Sequence, residues 1–152
     1  MIEEQISQAA ALVGFADIKR DPIGGWEEFL CEGNQYLATA GGGYAKRRQV
    51  FTTEILYNII GMGIEKLIMA LLMRSGNLAY NHTMHDLVES MEEFLPGMLT
   101  EKQARGLREL DSYQEICDVD AFSITPPTMD EIAVMLVLAE ELQGLATREL
   151  AD

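Results

Sequence analysis

The sequence predicts an all-α protein, an antiparallel up-down bundle of about five to six helices. Three observations carry that prediction. The stretch from Val50 to Met73 is apolar most of the way round a helix, the mark of a helix that sits inside a bundle or a membrane. Threonine-led capping signatures recur at Thr83, Thr100 and Thr128, each just ahead of a helical stripe. No window shows sustained strand alternation, and no repeat or low-complexity linker interrupts the chain.

Taken in order, Ile2, Ile6, Ala9, Ala10 and Val13 predict a short leading helix, closed by Gly14 and by Asp21-Pro22-Ile23-Gly24-Gly25. Residues 1–25 are expected to pack on a bundle formed by residues 26–150. Trp26, Phe29, Leu30, Gly33, Tyr36, Leu37 and Ala40 step by three and four, an amphipathic helix that Gly41-Gly42-Gly43 is expected to end. The stretch Val50 to Met73 would span roughly 35 Å as a helix, and the central helix that holds it should start near Ala45 and stop about Ser75-Gly76-Asn77. Glu54, Asn58 and the pair Glu65-Lys66 keep it below the ~18 uninterrupted apolar residues of a membrane span, so a core helix is expected.

Leu87, Val88, Met91, Phe94 and Leu95 form the next stripe, closed by Pro96-Gly97. Leu107, Leu110, Tyr113, Ile116 and Cys117 line the helix opened by Thr100. The last helix follows Thr128 and carries apolar residues from Ile132 to Ala139, then Leu142, Leu145 and Ala146. The central and last helices hold more apolar surface than one face of a small bundle uses, which predicts a homodimer.

The 152 residues are 48% hydrophobic, enough for one sizeable core. Their net charge of −14 argues against general nucleic-acid binding, which needs clustered Lys and Arg. From Asp111 onward ten acids face one base, Arg148, while bases collect at Lys46-Arg47-Arg48 and at Lys102, Arg105 and Arg108. Cys31 and Cys117 have no metal-ligand spacing and read as reduced core residues. The N-terminus MIEEQISQAA lacks the pattern of a signal peptide, so a cytoplasmic protein is expected.

Ile64-Glu65-Lys66-Leu67-Ile68-Met69-Ala70-Leu71-Leu72, then Gly76 and His85-Asp86-Leu87, resembles the HEPN domain (higher eukaryotes and prokaryotes nucleotide-binding) over Trp26 to Leu150. The resemblance implies an antiparallel helical bundle that commonly dimerises, often beside a minimal nucleotidyltransferase and in several cases with a nucleotide as ligand. A second branch of that family cleaves RNA with an arginine followed four to six residues later by a histidine. This chain departs from that motif: no arginine stands at that distance before His82 or His85, and seven residues separate Arg74 from His82.

With that departure, the resemblance implies a non-catalytic protein binding a partner protein or a nucleotide, and no metal, cofactor or membrane segment is expected. Glu65, His85, Tyr57 and Asn58 are the expected cleft residues. Gly41-Gly42-Gly43 followed by Lys46, Arg47 and Arg48 has the form of a phosphate cradle, though a solvated turn fits as well. The alternative is a divergent ribonuclease or nucleotide-modifying enzyme using His85 with Arg74 or an arginine of a second subunit. No serine, cysteine or threonine has a base at a spacing that would activate it.

Overall fold

The computed structural model describes residues 20–113 and 126–151. The leading helix expected at Ile2–Val13, and Ile116 and Cys117, lie outside those residues. Among the described residues the secondary structure is helical, as the sequence predicts: α1 (Trp26–Lys46), α2 (Thr53–Arg74), α3 (Met84–Phe94), α4 (Glu101–Leu110) and α5 (Met129–Leu150), with a 3-10 turn at Asp111–Tyr113.

Helix α2 is the core. Eleven of its 22 residues are buried, and Ile64, Leu67, Ile68, Ala70 and Leu72 are fully so. Its composition and length alone would allow it to cross a membrane, but 56% of its most apolar window is buried by the other helices. Helix α1 lies along one side of it, with α5, α3 and Leu107 and Leu110 of α4 closing the rest.

The α1–α2 contact is close because glycines meet there. A Cβ on Gly63 would stand 2.7 Å from Leu37 and 3.2 Å from the Gly33 carbonyl oxygen, and one on Gly33 would meet Leu67 at 3.0 Å. Removing both side chains lets the two backbones approach and Leu37 fill the gap. Lys66 adds a 2.6 Å ion pair to Glu32 and lies 4.3 Å over the Phe29 ring.

Helix ends follow the threonines. Thr52, Thr83, Thr100 and Thr128 each accept a backbone N–H three residues on, and Thr100/Gln103 and Thr128/Glu131 form complete capping boxes. At Thr83 the expected reciprocal carboxylate works differently. Asp86 takes the threonine hydroxyl (2.7 Å), and the free amides of Met84 and His85 go to Asp111 instead.

Three expectations are corrected. The glycine triplet does not end α1, which runs on to Lys46; none of the three has a positive φ. Gly43 is buried beneath Phe51, whose ring carbons a Cβ would approach to 2.6 Å, so this glycine serves close contact and not a turn. The central helix accordingly starts at Thr53, not near Ala45, because Val50 and Phe51 turn back through hydrogen bonds to the Arg47 carbonyl. Cys31 is exposed on the outer side of α1, not in the core, and its sulfur accepts a bond from Gln35.

The end of α2 is as expected. Ser75 caps it, and Gly76 turns the chain at φ 83, where the segment at Arg20 and Asp21 crosses.

Candidate functional site

One side of α2 stays open. Ile55, Asn58, Met62 and Glu65 follow one another at spacings of three and four, so they share a face. Ile55 and Met62 are each 43% exposed. Beside this stripe lies a cleft of about 240 Å³ lined by Tyr57, Asn58, Glu65, His82 and Asp111, with Met84 and Leu110 behind.

Tyr57, Glu65, His82 and Asp111 are each held by a contact from another element. His82, in the connection before α3, donates its Nδ1–H to Glu65 Oε1 at 2.5 Å, since an ionised carboxylate can only accept. That bond orients the imidazole, most of which is exposed. The Tyr57 hydroxyl donates to the Leu110 carbonyl at 2.6 Å, and its ring meets Tyr113 edge-on at 5.4 Å. Asp111 spends both carboxylate oxygens on the first amides of α3, at 3.1 Å from Met84 N and 2.9 Å from His85 N. Burial and the neighbouring Asp111 and Tyr113 push the Tyr57 phenol up to about 12, so it stays protonated at neutral pH. Tyr113 is raised to about 12 chiefly by donating its hydroxyl to Glu131, and the same bond lowers the Glu131 carboxyl.

No protein-family model, curated protein or solved structure matches the chain.

Of the residues singled out in the sequence, Tyr57, Asn58 and Glu65 come together in the cleft. His85 does not line it; its Nε2 lies 3.4 Å from Glu89, one turn along α3. Arg74 is at the far end of α2, 5.7 Å over the Trp26 ring. Lys46, Arg47 and Arg48 are exposed at the C-terminal end of α1, with Arg48 stacked 4.4 Å over Tyr44 and bonded to its carbonyl. The triplet Gly41-Gly42-Gly43 cannot offer free amides to a phosphate, because a helix interior uses them in its own ladder. Among the described residues no three His, Cys, Asp or Glu side chains gather as a metal site.

His82 and Asp111 are the site residues that sequence periodicity misses. His82 sits in an irregular connection, and Asp111 is one acid among ten near the C-terminal end. Only the Thr83 capping signature pointed to that helix end.

Chemically, the Glu65–His82 pair has the form of an oriented base. Among the described residues the cleft has no serine, threonine or cysteine beside it, and the one hydroxyl present, on Tyr57, is committed to Leu110. What the face offers is apolar contact from Ile55 and Met62 framed by a carboxylate, an amide and an imidazole.

Proposed function

We propose that the chain is a non-catalytic, HEPN-like antiparallel helical bundle that works in the cytoplasm as a protein-binding module, with the open face of α2 as its contact surface. The antiparallel reading is supported by the order of α1–α2 contacts, Trp26 with Arg74, Glu32 with Lys66 and Gly33 with Gly63, and by Gly43 against Phe51 just before α2. The observation that carries the function is the stripe Ile55-Asn58-Met62-Glu65, two exposed apolar side chains alternating with two polar ones on a helix half of whose residues are buried. Such a mixture suits a protein contact, where apolar anchors supply affinity and polar neighbours set register.

A protein is favoured over a nucleotide on charge and size. The cleft carries Glu65 and Asp111, which repel phosphate, and 240 Å³ is less than the usual ~300–1,000 Å³ of a small-molecule site. The chain's charge of −14 points to a partner with a basic surface. A minimal nucleotidyltransferase is the partner that the HEPN resemblance implies.

The test pairs two readouts. Affinity capture with wild type, Met62→Glu and Glu65→Lys should retain a partner on wild type and lose it on both variants, each weakening binding by roughly tenfold or more. A panel of nucleotides at millimolar concentration should leave the melting temperature unchanged. A nucleotide that raises it, or a partner held equally by all three proteins, overturns the reading.

A further inference from the structure

We infer that two copies of this chain pair through the outer side of α5, the two helices antiparallel. This surface is separate from the open face of α2. Asp130, Val134, Val137, Glu141, Gly144 and Arg148 recur at spacings of four, three, four, three and four, so they share one side of the helix, a seam with two apolar residues, Val134 and Val137, between charged ends. None of the six is buried, and Val134 is 70% and Val137 57% exposed. The core-facing stripe of the same helix is a different set, including Ile132, Met135, Ala139 and Leu142. Helix α5 thus carries one stripe for its own core and a second that the described residues leave uncovered.

Charge order along the seam selects the occupant. An acid stands at its first position and a base at its last. A second α5 laid antiparallel across the seam sets Asp130 opposite the partner's Arg148, and by the two-fold axis the same pair forms again at the other end. Val134 then meets the partner's Gly144, whose missing side chain admits it; a Cβ built there would find only the Arg148 guanidinium, at 3.6 Å. Val137 packs beside the partner's Glu141. A parallel pairing would instead set Asp130 against the partner's Asp130 and Glu141 against the partner's Glu141.

Both flanks fit this arrangement. Glu141 shares a groove of about 410 Å³ with Lys102 and Arg105 of α4. Among the described residues neither cation has an ion-pair partner, so both are placed to balance the carboxylates brought together at the seam. On the other side, Leu37, Ala38, Gly41, Gly42 and Tyr44 of α1 line a hollow that also touches Val137, and three of these five carry little or no side chain into it. This gives Gly41 and Gly42, which have nothing within 4 Å, a use that neither a turn nor a phosphate cradle supplies.

Sedimentation of the full chain at micromolar concentration tests the pairing. Wild type should sediment at twice the 16.9 kDa chain mass. Val137→Glu should be monomeric at that concentration with an unchanged circular dichroism spectrum, since the side chain lies outside the core. Asp130→Arg and Arg148→Asp should each weaken the dimer, and the two together should restore it, because the swapped charges again face one another. A monomeric wild type, or a dimer indifferent to Val137→Glu, overturns the pairing. Failure of the double variant to regain the dimer overturns its antiparallel register. Neither result bears on partner capture by α2, which Met62→Glu and Glu65→Lys report separately.

Discussion

Leu67→Ala is expected to destabilise the protein by about 2–5 kcal/mol, whereas Met62→Ala, five residues earlier on the same helix, should change stability by no more than ~0.5 kcal/mol. Leu67 has no exposed surface, and its Cγ and Cδ2 fill the space beside Gly33 where α1 and α2 come closest. Removing three carbons there loses their transfer energy and leaves a cavity that two glycine-bearing backbones, already in contact, cannot close. Met62 points the other way and is 43% exposed. Urea unfolding checks both, read at constant m so that the change reflects stability and not compactness. Equal losses would mean that α2 does not have one sealed side and one open side.

Gly76→Ala is expected to be nearly as costly. Gly76 has φ +83, a conformation that costs an L-residue roughly 1–2 kcal/mol. A Cβ would also stand 2.5 Å from Arg20 Cβ and 2.7 Å from the Asp21 carbonyl oxygen. The second contact is with backbone and cannot be relieved by rotating a side chain, which adds about 1–3 kcal/mol of overpacking. Gly97 isolates the first cost: its φ is +80 but nothing lies within 4 Å of its Cβ position, so Gly97→Ala should show the conformational penalty alone. Thermal unfolding should rank wild type above Gly97→Ala and Gly97→Ala above Gly76→Ala. With about 2–4 °C of melting temperature per kcal/mol for a chain this size, the steps are measurable. If the two variants melt together, the crossing of the Arg20–Asp21 segment over the end of α2 is misplaced.

Three of the helix starts were legible because their signals are local. A threonine three residues ahead of an acid or amide names a helix start from four consecutive residues, and α3, α4 and α5 all begin where Thr83, Thr100 and Thr128 predict. The buried character of α2 was legible too, since an apolar surface wider than one stripe has to be covered by something. The glycine triplet misled because the same composition serves two ends. Glycine can stop a helix by turning left-handed, or it can admit another group against the helix, and only Phe51, packed on Gly43, tells which.

The site was half legible for a similar reason. Tyr57, Asn58 and Glu65 lie on one helix, where spacing reports shared faces. Glu65's partner is His82, from a connection without periodicity, and the first two amides of α3 go to Asp111, 26 residues beyond His85 in the chain. Neither distance leaves a trace in local spacing. Cys31 shows the limit from the opposite direction, since apolar neighbours at helical spacing did not place it in the core.

Amide hydrogen exchange on the purified protein tests the position of α2 most directly. Fully buried residues crowd its second half, so the amides from Ile64 to Met73 should exchange slowest of all and only through global unfolding. The exposed ends of α1 and α5 should open well before them. Exchange over Ile64–Met73 as fast as at those ends would contradict a bundle built around α2, and with it the face that α2 presents to a partner.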